Sequence, residues 1–100
     1  MDTVFLEIIF QASDYATMNI SGRDEIEDPL DDALAEVNVG EVTGGGSGSG
    51  VVIIEVEIED GKNLEEGLSV IRNVLRSYKS PESTIIKRSN PCEVIYSVYE

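Results

Sequence analysis

The sequence predicts an α+β domain in which two helices cover one face of an antiparallel sheet. Three observations predict it. Residues 51–59, VVIIEVEIE, alternate aliphatic and acidic side chains with the two-residue period of a strand that has one wet face. Leu64, Leu68, Ile71, Leu75 and Tyr78 recur at the four- and three-residue spacing of an amphipathic helix. Strand-like and helix-like stretches then follow one another in the order β-α-β-β-α-β, with one further strand at the C-terminal end. One hundred residues make one domain, 1–100, and suffice for one modest core without disulfide or metal staples.

The first strand spans 3–11. Val4, Leu6, Ile8 and Phe10 share one face and belong to the core. Thr3, Phe5, Glu7 and Ile9 share the other, so Phe5 and Ile9 are either exposed or covered by another chain. Residues 12–27 are more polar, with Tyr15, Met18 and Ile20 as isolated apolar side chains, and read as a connection with short extended pieces. The first helix reads from DPLDDALAEVNVG. Asp28 suits an N-cap and Pro29 suits the first helical position, where no N–H is needed. Asp31 and Asp32 then favour the positive end of the helix dipole. Leu30, Ala33, Leu34 and Val37 form the buried stripe, and Asn38 or Gly40 ends the helix. The alternative is a start one turn earlier, at Asp24, with Pro29 kinking the helix.

A strand around 40–44 precedes the glycine run, and the 51–59 strand follows it. DGKN is a turn. Asn63 is placed to cap the second helix, with Glu66 completing a capping-box-like start. Arg76 and Lys79 complement the negative end of this helix, and Pro81 forbids its continuation. STIIKRS and CEVIYSVYE are the last two strands, joined by a turn at SNP. The whole is the split βαβ, ferredoxin-like βαββαβ arrangement, with both helices on one face, an extra C-terminal strand and an open second face.

The run GEVTGGGSGSG has three readings. A dinucleotide loop needs G-x-G-x-x-G ahead of a helix, and here position 49 is Ser49 and a strand follows. No Gly-Lys-Ser/Thr provides a P-loop. Gly44, Gly45 and Gly46 could still form a nest of N–H groups for an anion. An interdomain linker is excluded, because neither side could fold alone. A hairpin connection is left, and seven small residues exceed a tight hairpin, so its tip is expected to be mobile.

In combination, IEDPLDDAL, GEVTGGG and PESTII resemble a group of small, acidic, uncharacterised bacterial proteins. In these an acidic helix leads to a Gly-Glu-Val-Thr-Gly-Gly-Gly turn, an alternating strand and a second helix. The resemblance covers roughly residues 24–88 and is carried chiefly by GEVTGGG. It implies a bacterial, cytoplasmic setting and the same fold. It implies no activity, so it assigns no catalytic residue.

Charge bounds the partners. Twenty acids oppose seven bases, a net −13. Phosphate backbones are bound mainly by Lys and Arg, so nucleic acid and anionic membranes are poor partners and a basic protein is a better one. The plainer reading is that the charge keeps a small protein soluble. Ten of the acids lie in residues 1–40, opposed only by Arg23, whereas six of the seven bases follow residue 60. No apolar run approaches the length of a membrane span. MDTVFLEIIFQ has no basic region of the signal-peptide kind, and the single Cys92 cannot form an internal disulfide, so a reducing cytoplasm is expected.

The chemistry of an enzyme is thin. There is no histidine, hence neither the commonest general base nor the commonest transition-metal ligand. Zinc would need several Cys or His, and Cys92 lacks a His to activate it; it reads as a small core or loop residue. Glu55, Glu57 and Glu59, with Glu7 from a neighbouring strand, could perturb one another or hold a hard cation, but a solvated sheet face explains them as well. Arg72, Arg76 and Lys79 share a helix face and are either an anion site, partners for the acids of the first helix, or plain surface. No metal or cofactor is expected.

Two function classes follow. The first is an acidic interaction module that inhibits or escorts a basic partner, steered by charge, or that closes a homodimer through Phe5 and Ile9 on the open face. The second is an anion- or metabolite-binding regulatory domain acting as a homodimer, with the loop at Gly44–Gly46 closing on the ligand. The binding candidates are therefore Glu55, Glu57, Glu59, Phe5, Glu7, Ile9, Gly44, Gly45 and Gly46.

Overall fold

The computed structural model describes residues 3–18, 20, 22–89 and 93–99. Its elements are β1 (Val4–Gln11), α1 (Ala12–Tyr15), α2 (Asp24–Glu36), β2 (Gly40–Gly48), β3 (Val51–Ile58), α3 (Leu64–Ser77), β4 (Ile85–Arg88) and β5 (Val94–Ser97), with short 3₁₀ turns at Ala16–Met18 and Gly61–Asn63. The strands form one sheet in the order β2-β3-β1-β4-β5, and every neighbouring pair is antiparallel. The molecule is thus α+β, and its strand order and helices roughly fit the ferredoxin-like expectation. No helix among the described residues is long and apolar enough to cross a membrane.

The core lies between the sheet and the two long helices. Val4, Leu6, Ile8 and Phe10 of β1 and Val52, Ile54, Val56 and Ile58 of β3 are buried, as their alternation predicts. Ile26, Leu30 and Leu34 of α2 and Leu68, Ile71 and Leu75 of α3 close over them. At about 25 cal/mol per Å² of apolar surface, each of these side chains contributes about 1.5–3 kcal/mol by leaving water.

Helix α2 takes the earlier of its two possible starts, at Asp24, so Pro29 lies inside it and Asp28 is not its cap. Ile26 explains the choice: it extends the Leu30–Leu34 stripe by one turn and is fully buried. A proline there leaves the carbonyl four residues back, that of Glu25, without its helical donor. The Tyr78 hydroxyl supplies one, donating to Glu25 O at 2.8 Å. At the other end Asn38 has φ 57°, Val39 N–H donates to Leu34 O and Asn38 N–H to Ala35 O. These are the two bonds of a Schellman motif. It turns Val39 into the core and leaves Val37, expected in the buried stripe, exposed. Lys79, with φ 55°, ends α3 by the same pair of bonds, Ser80 N–H to Leu75 O and Lys79 N–H to Arg76 O.

Four expectations need correction. Residues 12–18 are helical rather than extended: one turn of α-helix and one of 3₁₀ bring Tyr15 edge-on to Phe10, ring centroids 5.3 Å apart. Tyr15, Met18 and Ile20 thereby pack against the core, which isolated apolar residues in a polar stretch do not disclose. The expected capping box on the second helix does not form, since the Asn63 side chain makes no cap bond. Asp60 instead accepts from Lys62 N–H and starts the 3₁₀ turn that feeds α3.

The glycine run is not a long loop. It is strand, paired with β3 from Gly40 to Gly48, and the turn has only two residues, Ser49 and Gly50. Both have positive φ, 53° and 81°, as the turn of a two-residue I′ hairpin requires. Gly45 has a packing reason: a Cβ there would fall 2.4 Å from Ile53 O and 3.0 Å from Arg23 Nε. Only glycine lets the Arg23–Glu27 ion pair, 2.6 Å long, lie against this strand. A bulge between Val42 and Gly44 interrupts the ladder, and Asp31 of α2 accepts from Val42 N–H at 2.9 Å.

Finally, Arg72 and Arg76 do not meet the acids of α2. Their Nε groups donate to Ser97 O and Val98 O, each at 2.9 Å, and fasten the edge strand β5 to α3. Arg76 also stands 6.0 Å from the centroid of the Tyr99 ring, whose hydroxyl donates to Ser80 O. The readings of the SNP turn and of Cys92 fall on Asn90, Pro91 and Cys92, outside the described residues.

Candidate functional site

Because both long helices pack on one face, the odd-numbered side chains of β1 and β3 stand on the other, which no element among the described residues covers. Cross-strand register sorts this open face into rows. One row reads Gly44, Glu55, Glu7, Lys87, Ile95 from β2 to β5. The next reads Gly46, Ile53, Ile9, Ile85, Ser97. On the far side of the first row, Glu41 pairs with Glu57 and Glu57 with Phe5.

The face therefore has an aliphatic band, Ile53-Ile9-Ile85, and beside it a row of charge. Phe5 and Ile95 are each 55% exposed, a high value for large apolar side chains. Glu7 and Glu55 are directly opposed across β1 and β3, an unfavourable like-charge pair. Lys87 flanks Glu7 from β4 and lies 3.8 Å from the exposed Glu93. A shallow depression of ≈ 440 Å³ opens among Phe5, Glu7, Thr43, Glu55 and Ser89.

Of the residues expected from the sequence, Phe5, Glu7, Ile9, Glu55 and Glu57 do come together here. Gly44 and Gly46 border them on β2, whereas Gly45 opposes Ile54 and belongs to the helix side. Glu59 lies just past β3, exposed, its N–H bound to Val39 O. An extended strand sends successive N–H groups in opposite directions, so Gly44–Gly46 in β2 do not gather them around one anion. Among the described residues no group of three or more Asp, Glu, His or Cys is placed to hold a metal ion.

Glu41, Ile53, Ile85, Lys87 and Ile95 also belong to this face and were not among the expected site residues. Alternation in STIIKR and EVIYS carries the signal. It was too short to say which residues point outward until the pairing with β1 was known. A second, smaller depression of ≈ 280 Å³ lies on α3 among Glu65, Ser69, Arg72, Asn73 and Arg76. Both arginines there are engaged with the carbonyls of the C-terminal segment. No protein-family model, no curated protein and no solved structure matches this chain.

Proposed function

We propose that this chain is a small acidic protein-interaction module that binds through the open face of a ferredoxin-like, split βαβ sheet. One observation carries the reading: a contiguous aliphatic band, Ile53-Ile9-Ile85, bordered by the exposed Ile95, with the exposed Phe5 beyond the charged row, and no element among the described residues over it. Single exposed apolar residues need no explanation, but a continuous patch rimmed by polar groups marks a contact surface. The carboxylates of Glu7, Glu41, Glu55 and Glu57 bias that surface toward cationic groups and against phosphate.

The test is crosslinking in an extract of the native cell with the chain and its Ile53→Lys variant. Proteins joined to wild-type β1 or β3 and absent with the variant, while thermal melting of the two chains agrees within about 0.5 kcal/mol, support the reading. An identical crosslinked set for both chains overturns it.

A further inference from the structure

We infer that the occupant of the open face is a second copy of this chain, related by a two-fold axis lying along β1. The inference rests on the reading of the open face as a protein contact, and it names the partner. β1 is the middle strand of five. A two-fold parallel to it and between two facing sheets lays β3 over the partner's β4 and β2 over the partner's β5, and it keeps each row over the same row.

The side chains match under that operation. In the aliphatic row, Ile9 meets its own copy and Ile53 meets the second copy of Ile85. In the charged row, Glu55 meets the second copy of Lys87, so the acidic β3 and the basic β4 pair twice across the axis. At the borders Gly44 lies under the second copy of Ile95, a side chain that stands 55% exposed in the single chain; Glu55 Oε1, 3.0 Å from where a Gly44 Cβ would stand, must swing toward Lys87 of the second copy to admit it. Two-fold axes in other directions lose this. An axis across the strands lays the charged row on the aliphatic one, leaves Glu55 over Val51, or sets Glu55, Glu7 and Lys87 each against its own copy.

Charge opposes the arrangement in part: each copy carries −13, and Lys87 is already 3.8 Å from Glu93 of its own chain. Glu7 lies on the axis and faces its own copy, with Lys87 of its own chain beside it. Aligned sheets cross at about −30°, so the match is closest over β1, β3 and β4 and loosens toward the edges. Strands of eight, nine, eight, four and four residues, about 4.8 Å apart and rising about 3.3 Å per residue, present about 520 Å² per copy, or about 1,050 Å² in all. That just clears the roughly 1,000 Å² a specific contact needs and falls in the size class of weak, transient pairs, so the dimer is expected to be concentration-dependent.

Sedimentation equilibrium of the full chain from about 1 to 500 µM at moderate salt tests this. A monomer–dimer equilibrium is expected. Glu55→Lys and Lys87→Glu should each weaken it about tenfold, and the double swap E55K/K87E should return it to within about threefold of wild type. Glu7→Gln should tighten it. Ile53→Lys should weaken it at least tenfold with the circular dichroism spectrum kept. A chain that stays monomeric at 500 µM, or a dimer that the double swap does not restore, overturns the inference. A basic partner reverses two signs: Lys87→Glu would then strengthen its binding and Glu7→Gln would weaken it. An oligolysine peptide that shifts the amide resonances of Phe5 and Ile53 on a monomeric chain would therefore defeat the second copy and leave the open-face reading standing. No shift on a monomeric chain would defeat both.

Discussion

Tyr15 shows how one side chain carries both packing and cost. Its ring meets Phe10 edge-on, yet its hydroxyl is buried and has no hydrogen-bond partner among the described residues. Burial raises the phenol above its ordinary 10.0; Arg23 opposes the shift, and Glu27, Asp24 and Glu25 add to it. The unfolded phenol thus loses its proton first, and stability from this group is complete below pH 10 and falls as the pH rises past it. Tyr15→Phe should remove that part of the alkaline loss, read as the difference between the two chains in chemical denaturation. At neutral pH the variant should be as stable as wild type or slightly more so, because no bond is lost and an unsatisfied group leaves the interior. A loss above about 1 kcal/mol at pH 7 would mean that the hydroxyl has a partner after all.

Among the elements, α2 owes its first turn to α3. Pro29 deprives Glu25 O of its helical donor, and Tyr78 at the end of α3 donates in its place. Tyr78→Phe should therefore cost about 0.5–1.5 kcal/mol. The cost should shrink when Pro29→Ala returns an N–H to the helix, which a double-mutant cycle measures directly. Additive costs would show the two positions to be independent.

The same exchange between elements explains what could be read from the chain and what could not. The β3 and α3 periodicities were legible because each is long and its apolar stripe is complete. The α2 start was ambiguous because Asp28-Pro29 is a good start by local rules, and only the buried Ile26 outweighs it. The β2 strand was hidden because glycines carry little strand propensity, and the partner β3, the close approach at Gly45 and the Ser49-Gly50 turn together hold them extended. The arginine clamp on β5 was invisible because its acceptors are backbone carbonyls, which no side-chain pattern announces. Half of the candidate face, Phe5, Glu7, Ile9, Glu55 and Glu57, was legible from alternation, and the β4 and β5 half needed the strand order.

For the whole molecule the governing quantity is the net charge of −13. Acids stand on the outer side of α2 and on the open sheet face alike, so self-repulsion acts across the fold. Screening should relieve it. Raising sodium chloride from about 20 to 300 mM shortens the Debye length from about 20 to 6 Å and should stabilise the chain by about 1 kcal/mol. For a domain of this size that is a rise in Tm of about 4–8 °C, measured by calorimetry. A fall would mean that ion pairs such as Arg23–Glu27 outweigh the repulsion.

By itself the sequence determined the α+β class, the core faces of β1 and β3 and the stripe of α3, because burial of one side of a regular element imposes a period that survives in the order of residues. It also determined the charge and the poverty of catalytic groups. Only the tertiary structure decided that the glycine run is an edge strand, that Pro29 sits inside a helix and that six side chains from β1, β3 and β4, namely Glu55, Glu7 and Lys87 with Ile53, Ile9 and Ile85, form one row-ordered face. Those outcomes depend on donors, acceptors and close approaches supplied by segments far away in the chain, and a local pattern holds no record of its distant neighbour.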